Sequence, residues 1–207
     1  MKKIAVLVSG NGSNLQALID ACNSKKIKNG EIGLVASSNE NAFALKRAQK
    51  ENIKTIIINR KNFETTQAFD EKMFSCLKEH SPDLIVLAGF MHILSKKIVQ
   101  HFQNKIINIH PSLIPAFCGK GCFGLKVHEK ALARGVKLTG ATVHFVNELA
   151  DGGPIIAQKC VEVLQNDTAQ TLQRRVMEQA EWLILPQAVD WFCSDRLKIK
   201  NGIVTFN

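Results

Sequence analysis

The sequence predicts an α/β fold in which a doubly wound, mostly parallel sheet carries helices on both faces, with an antiparallel addition in the C-terminal half. Short, continuous apolar runs such as residues 3–8 alternate with segments of helical periodicity through the first half of the chain. A strand that is buried on both faces carries apolar residues without alternation, as the strands of a parallel sheet do. After residue 110 two strand-like segments follow each other with only a turn-forming loop between them. We therefore expect a Rossmann-like architecture with ligand sites at the carboxyl ends of its strands.

The individual elements follow from these patterns. The first half gives strands over residues 3–8, 32–36, 55–58, 84–88 and 105–109, and helices over residues 14–22, 42–51, 63–79 and 95–102. The second half gives a loop over residues 111–126, a helix over 127–133, strands over 138–146 and 155–163, a helix over 168–192 and a hairpin over 197–206. Pro186 is expected to kink or end the long helix, and Asn201-Gly202 to form the hairpin turn.

Composition excludes several classes of protein and leaves the partner open. With 207 residues, 45% hydrophobic and 22% charged, the chain resembles an ordinary globular domain. Its longest apolar stretch, residues 84–91, is too short to span a membrane. Its six cysteines form no C-x-x-C pair, which favours reduced thiols and a cytoplasmic protein. The net charge of +9 favours an anionic partner, whether a nucleic acid, a phosphorylated metabolite or a polycarboxylate cofactor.

A glycine-containing loop, Ser9-Gly-Asn-Gly-Ser-Asn14, lies between the first predicted strand and the first predicted helix. Glycine lets the backbone turn tightly and approach a ligand, and free N–H groups at a helix N-terminus favour an anion. Leu15 stands where a dinucleotide motif has its third glycine, and no Gly-Lys-Ser/Thr follows. A single phosphate therefore fits better than a dinucleotide or ATP. The alternative is an ordinary turn with a Ser or Asn cap.

Asn108 and His110 lie two residues apart at the end of the fifth predicted strand, so their side chains point to the same side. An amide that donates hydrogen bonds to an oxyanion, beside an imidazole that exchanges protons, suits acyl transfer. Asp151, in the loop before Gly152-Gly153-Pro154, is a candidate third member, since a carboxylate near His110 would stabilise the imidazolium form. The alternatives are a capped strand end for the pair and a plain turn for Asp151.

Five motifs, in this order along the chain, carry a resemblance to a known family. They are Ser9-Gly-Asn-Gly-Ser-Asn14, Leu87-Ala-Gly-Phe-Met91, Asn108-Ile-His-Pro-Ser-Leu113, Val143-His-Phe-Val146 and Asp151-Gly-Gly153. Together they resemble the motifs of the glycinamide ribonucleotide formyltransferases, within the wider formyltransferase superfamily. The resemblance implies a single formyltransferase domain over residues 1–207, with a nucleotide-binding half at 1–109 and a folate-binding and C-terminal half at 110–207.

The resemblance also implies an activity and the residues that carry it. An enzyme of this kind moves the formyl group of 10-formyltetrahydrofolate to the amine of glycinamide ribonucleotide in purine biosynthesis. It acts on small molecules as a cytoplasmic monomer or homodimer, without a metal, a nucleic acid or a membrane. The implied catalytic residues are Asn108, His110 and Asp151, and the nucleotide-binding residues are Gly12, Ser13, Asn14 and Glu181. The implied folate-binding residues are Thr66, Met91, His92, Ile93, Leu94, Asn147, Glu148, Leu149 and Ala150.

The chain departs from the usual pattern of this family in three places. The family often has arginine at the positions of His92 and Thr66, and the loop over residues 116–127 is longer and richer in cysteine here. These departures concern the folate contacts and not the reacting groups.

Other functions stay open at this stage. A 10-formyltetrahydrofolate hydrolase would use the same reacting side chains with water as the acceptor, and we expect it to carry a further N-terminal domain. An initiator-tRNA transformylase would need a C-terminal RNA-binding domain. Cys118 and Cys122 with His110 and His128 could hold zinc, although their spacing is not that of a common structural site. The last alternative is a basic nucleic-acid binder. Among the other histidines, we expect a structural role for His144 in its strand.

Overall fold

The computed structural model describes residues 1–207, and a seven-stranded sheet organises most of them. Its strands are β1 (Lys2–Val8), β2 (Gly30–Ser37), β3 (Thr55–Ile57), β4 (Leu84–Leu87), β5 (Ile106–His110), β6 (Leu138–Phe145) and β7 (Ile155–Glu162). The spatial order is β3-β2-β1-β4-β5-β6-β7. The first five strands run parallel, and β6 runs antiparallel to both β5 and β7. The predicted fold class, including its antiparallel addition, is confirmed.

Helices cover both faces of the sheet. They are α1 (Ser13–Asn23), α2 (Phe43–Lys50), α3 (Thr66–His80), α4 (Lys96–His101), α5 (Leu125–Arg134), α6 (Ala169–Val176) and α7 (Trp182–Cys193), with a short 3-10 helix at Arg60–Asn62 and a π-helical segment at Met177–Glu181. The predicted terminal hairpin is present as β8 (Leu197–Lys200) and β9 (Ile203–Phe206). None of the helices combines the length and the apolar character that crossing a membrane requires.

Alternate residues of β1 show why its apolar run is continuous. Ile4, Val6 and Val8 belong to a core of 32 buried residues on one face of the sheet. Ala5 and Leu7 belong to a second core of 16 buried residues on the other face. Because a strand turns successive side chains to opposite faces, a strand with a core on each side needs apolar residues at every position.

The long C-terminal helix differs from the prediction at Pro186. The α-helical geometry is interrupted earlier, at the π-helical segment Met177–Glu181, and α7 then continues through Pro186 to Cys193. Proline removes a backbone donor and crowds the preceding turn. Here the chain accommodates it within α7 rather than ending the helix there. Glu181 is the last residue of the π-helical segment. Such π-helical turns often occur at functional sites.

Strand order brings the predicted motifs to one edge of the sheet. The strands β1, β4 and β5 are neighbours and run parallel, so their carboxyl ends lie side by side. The order of the strands reverses direction between the neighbours β1 and β4. Doubly wound folds bind their ligands at such a switch point. The loops that follow these strands therefore form the walls of one crevice.

Candidate active site

A cavity of about 380 Å³ opens at the carboxyl ends of β4 and β5. Its walls are the loop after β4, the loop between β5 and α5, and the loop between β6 and β7. Asn108, His110 and Asp151 all line it, and so does every predicted folate-binding residue except Thr66. A larger groove of about 690 Å³ between α1 and α7 shares only Ser13 with the predicted site. The smaller cavity is the better candidate because it contains all three predicted catalytic side chains.

The three predicted catalytic side chains meet in this cavity. The Nδ1 atom of His110 lies 3.6 Å from Oδ2 of Asp151, and Nδ2 of Asn108 lies 3.5 Å from Oδ1 of the same carboxylate. Asn108 and His110 project to the same side of β5, as their spacing requires. Asp151 reaches them from the loop between β6 and β7, with its backbone in the left-handed region at a φ of 55°. One carboxylate thus contacts both an amide and an imidazole.

His144 is a fourth member that sequence reasoning did not place at the site. Its Nε2 atom lies 3.1 Å from Nδ2 of Asn108 and 3.6 Å from Oδ1 of Asp151. Its Nδ1–H donates to the carbonyl oxygen of Phe145 at 2.8 Å, which leaves Nε2 able to accept the hydrogen bond from Asn108. The antiparallel pairing of β5 with β6 puts His144 directly opposite Asn108. The sequence does not state that register, and the one signal it offered was the position of His144 within the motif Val143-His-Phe-Val146.

The charge on Asp151 is stabilised by its neighbours. Burial alone would raise the pKa of this carboxyl, but the contact with His144, the backbone N–H of Gly119 and the positive charge available on His110 and His144 outweigh burial. They hold the pKa of Asp151 below its ordinary value. The N–H of Gly119 donates to Oδ2 at 2.8 Å. Asp151 therefore presents an ionised carboxylate beside both imidazoles.

The loop between β5 and α5 covers the reacting side chains with backbone groups. Nε2–H of His110 donates to the carbonyl oxygen of Phe117 at 3.0 Å, and the N–H of Gly119 reaches Asp151 as described. The base of the loop is fixed where the Ser112 hydroxyl donates to the carbonyl of Ala116 at 2.6 Å. In this conformation the loop contacts both the imidazole and the carboxylate, so its movement would change what each of them can bind.

The predicted phosphate loop lies at the start of α1. Gly12 precedes the helix with a φ of 76°, and a Cβ atom on it would lie 2.5 Å from Cβ of Ala44. Only glycine satisfies both constraints, because another residue would be strained and would collide with α2. The first N–H groups of a helix have no partner within it. An anion at this end would therefore meet free donors and the positive end of the helix dipole.

Asn14 and Glu181 form a buried polar pair beside this loop. Nδ2 of Asn14 donates to Oε2 of Glu181 at 2.6 Å, and Glu181 is only 6% exposed. Burial raises the pKa of Glu181 to about 7, and the hydrogen bond from Asn14 opposes that rise. The Oδ1 atom of Asn14 is buried without a partner. Ser13 contacts the π-helical segment through Met177, with its Oγ atom 3.7 Å from the Met177 sulfur.

A hydrogen bond joins the phosphate loop to the predicted folate cavity. The backbone N–H of Met91 donates to Oγ of Ser9 at 3.0 Å. Ser9 follows β1 and Met91 lies in the loop after β4, so the two ligand regions lie next to each other. Ligands held by the two loops would therefore approach each other at the sheet edge.

The residues that the resemblance assigns to folate surround the mouth of the cavity. Apolar side chains there are exposed, Ile93 at 75% and Leu149 at 69%, which suits a flat apolar ligand. Glu148 is held by α4, since Gln100 donates to it at 2.7 Å and Lys96 lies 3.1 Å away. The hydrogen bonds from Gln100 and Lys96 lower the pKa of Glu148.

Thr66 lies away from this cavity. It begins α3 and its hydroxyl accepts a hydrogen bond from the Arg60 guanidinium at 3.1 Å. Arg60 also lies near His92. Burial is the larger cause that lowers the pKa of His92, and the positive charge of Arg60 is the second. A cation therefore stands near the positions where the family often has arginine, although it comes from another part of the chain.

The four residues proposed as a zinc alternative do not form a metal site. No group of three or more His, Cys, Asp or Glu side chains is arranged to hold a metal ion. His128 lies on α5, where it is fully buried, and neither of its ring nitrogens has a hydrogen-bond partner. Burial, and then the charge of His110, lower the pKa of His128 to about 4. His128 is therefore a residue of the core and not a ligand at the cavity.

Comparison with known proteins identifies the class to which this site belongs. Residues 2–189 match the family described as formyl transferase, and the chain belongs to that family. It is 42% identical over 203 residues to the phosphoribosylglycinamide formyltransferase of Haemophilus influenzae, covering 98% of this chain and 92% of the relative.

Solved structures agree with this assignment. The glycinamide ribonucleotide transformylase 1 of Symbiobacterium toebii superimposes with a TM-score of 0.93 at 38% identity, covering 100% of this chain and 94% of that one. A formyltetrahydrofolate deformylase of Pseudomonas syringae pv. tomato superimposes with a TM-score of 0.90 at 25% identity, covering 99% of this chain and 65% of that one. The fold is thus shared by transferases and a deformylase, while the higher identities belong to the transferases.

Proposed function

We propose that the chain transfers the formyl group of 10-formyltetrahydrofolate to the amine of glycinamide ribonucleotide in purine biosynthesis, giving formylated nucleotide and tetrahydrofolate. The observation that carries this proposal is the contact of Asp151 with both Asn108 and His110 at the end of a cavity. Those groups match the needs of acyl transfer, in which negative charge develops on oxygen and protons must move.

The reaction begins when the nucleotide amine attacks the formyl carbon. A C–N bond forms and the formyl oxygen becomes an oxyanion. Nδ2–H of Asn108 and protonated His110 stabilise that oxyanion. Asp151, ionised and in contact with His110, stabilises positive charge on the imidazole during the reaction. His144 orients the Asn108 amide from the opposite strand.

Collapse of the tetrahedral intermediate completes the transfer. The attacking amine loses a proton, and N10 of the folate gains one. The bond between N10 and the formyl carbon then breaks as the carbonyl re-forms. His110 and Asp151 together transfer these protons. For Nε2 of His110 to take part, its hydrogen bond to the Phe117 carbonyl must give way to the substrate.

The phosphate loop and Glu181 bind the nucleotide. Gly12, Ser13 and Asn14 present the N-terminus of α1 to its phosphate. Glu181 faces the same region through its contact with Asn14 and accepts hydrogen bonds from the nucleotide. The folate occupies the cavity lined by residues 91–94 and 147–150. The monomeric or homodimeric state, the cytoplasmic location and the division at residue 110 stay predictions.

A direct absorbance assay tests the proposed transferase activity against the hydrolase alternative. Loss of 10-formyltetrahydrofolate is followed by absorbance with and without glycinamide ribonucleotide. We expect loss only when the nucleotide is present, with one formylated nucleotide formed per folate released. Loss at the same rate without the nucleotide would select the hydrolase, whose acceptor is water.

A further inference from the structure

The loop between β5 and α5 holds two cysteines that the formyl transfer does not use. Cys118 and Cys122 flank a tight turn in which the N–H of Cys122 donates to the carbonyl of Gly119 at 3.0 Å. Gly119 and Gly121 both have a φ of 80°, a conformation that lets the chain reverse within these few residues. Both thiols are free and half-buried. The turn reverses the chain between Cys118 and Cys122, so the two cysteines lie on either side of it.

The two sulfurs have different surroundings. Nζ of Lys130 lies 3.0 Å from the Cys122 sulfur and also donates to the carbonyl of Gly121 at 3.1 Å. An ammonium in contact with a sulfur stabilises the negative charge of an attacking thiolate. Cys118 instead donates to the carbonyl of Pro115 at 3.2 Å.

Cys118 also responds to the charge of its neighbours. Burial raises the pKa of the Cys118 thiol, and the charges of Asp151 and Cys122 raise it further, against a smaller opposing effect of a backbone hydrogen bond. The charge of Cys122 thus acts on the Cys118 thiol across the turn. The contact with Lys130 makes Cys122 the first nucleophile and leaves Cys118 as the second.

We propose that Cys118 and Cys122 form a thiol–disulfide exchange site that small disulfides oxidise to an intramolecular bridge. The Cys122 thiolate attacks one sulfur of oxidised glutathione, forming a mixed disulfide and releasing one glutathione thiolate. Cys118, losing its proton to solvent, then attacks the Cys122 sulfur of that mixed disulfide and releases the second glutathione. The protein loses two electrons and two protons, which the two glutathione molecules gain.

The bridge would act on the reacting groups through the loop backbone. Phe117, whose carbonyl accepts from His110, directly precedes Cys118, and Gly119, whose N–H donates to Asp151, directly follows it. A bridge that closes this short ring limits the movement that frees His110 for the substrate. We expect oxidation to lower turnover by about tenfold or more, reversibly, as expected when a covering loop cannot open. This consequence for activity rests on the proposed function, whereas formation of the bridge does not.

The experiment measures the bridge and the activity separately. The whole protein is incubated in buffers of defined oxidised and reduced glutathione, quenched with acid and examined by intact mass spectrometry and peptide mapping. A bridge lowers the mass by about 2 Da, whereas a stable mixed disulfide raises it by about 305 Da. We expect the lower mass, with Cys118 and Cys122 joined in one peptide, and recovery of mass and turnover on adding dithiothreitol.

Matched variants identify the residues responsible. Cys118→Ser should trap glutathione on Cys122, Cys122→Ser should abolish the bridge, and Cys160→Ser, which removes an exposed cysteine on β7, should leave the bridge unchanged. Lys130→Met should slow bridge formation, while Lys126→Met, on the same helix but over the Phe123 ring, should not.

Two outcomes would overturn the site. Persistence of both loop thiols in buffers that modify Cys160 would show that the loop cysteines do not exchange, whatever the enzyme's reaction. A bridge that leaves formyl transfer at full rate would remove its link to the reacting groups. If the reduced protein performs no formyl transfer but the bridge still forms, only the proposed function fails.

Discussion

Asn14 and Glu181 stand 167 positions apart in the chain and meet through a hydrogen bond of 2.6 Å between the amide nitrogen and the carboxylate. The contact joins the start of α1 to the end of the π-helical segment, so it connects the predicted phosphate loop to the second half of the chain. Its surroundings are buried, and this burial makes the carboxyl of Glu181 unusually easy to protonate. A polar contact at this position thus has consequences for both stability and binding.

Glu181→Gln should change how stability depends on pH. The pKa of Glu181 is raised from 4.5 to about 7 in the folded protein, so the stability linked to its proton is complete below pH 4.5 and is lost as pH rises to 7. The loss amounts to roughly 3 kcal/mol by linkage. Glutamine keeps the shape without titrating, so urea unfolding between pH 4.5 and 7.5 should lose this component. Parallel stability curves for wild type and variant would contradict the assignment.

His128→Leu should change the same curve in the opposite direction. The pKa of His128 is lowered from 6.5 to about 4, so its contribution to stability is complete above pH 6.5 and falls by roughly 3 kcal/mol as pH drops to 4. Leucine fills similar space, and because neither ring nitrogen has a partner, no hydrogen bond is lost. Unfolding at pH 4.5 should therefore show a more stable variant. His101→Gln, at an exposed histidine, serves as the control.

The two titrations oppose each other in the wild-type protein. Between pH 4.5 and 6.5 acidification strengthens the contribution of Glu181 and weakens that of His128. We therefore expect a nearly flat stability curve for the wild type, and curves of opposite slope for the two single variants. A steep wild-type slope with both variants unchanged would be inconsistent with this balance.

Asn108→Ala and His110→Ala should each lower turnover at least about 100-fold, because each removes a group that stabilises the oxyanion or moves a proton. Steady-state rates of formyl transfer measure the effect, and thermal unfolding establishes that each variant is folded. His101→Ala, in an exposed position on α4, should keep full activity. Wild-type turnover in His110→Ala would refute the mechanism.

His144→Ala should lower kcat by about tenfold with smaller changes in KM, since the residue orients Asn108 and contacts Asp151. The pH profile of kcat should also shift, because Asp151 loses a contact that lowers its pKa. Thr139→Val is the matched control, as it alters a buried residue of the same strand whose hydroxyl has no partner. Equal effects of both variants on kcat would reduce His144 to a packing residue.

Gly12→Ala should destabilise the protein by about 1–3 kcal/mol, because the new Cβ combines a strained backbone with a collision against Ala44. Gly10→Ala is an unusually close control, since it lies in the same loop and its Cβ would meet nothing within 4 Å. Urea unfolding measures both. Similar stabilities for the two variants would show that α2 yields more easily than the structure implies.

The sequence by itself determined the sheet and much of the crevice. Continuous apolar runs identify strands with a core on each face, and strand ends in a parallel sheet share one edge, so the loop at Gly12 and the pair Asn108 and His110 were predictable from local pattern. Asp151 was a candidate from its turn-forming loop, and the family resemblance supplied Glu181. These are properties of short segments, which the chain encodes within a few residues.

Tertiary structure alone decided which distant side chains meet. The register between β5 and β6 places His144 against Asn108, and the path of the chain places Arg60 near His92. Burial of His128 and Glu181, which sets their pKa values, likewise depends on elements far away in sequence. Pairing registers and desolvation are sums over long-range contacts, so no local pattern of residues specifies them.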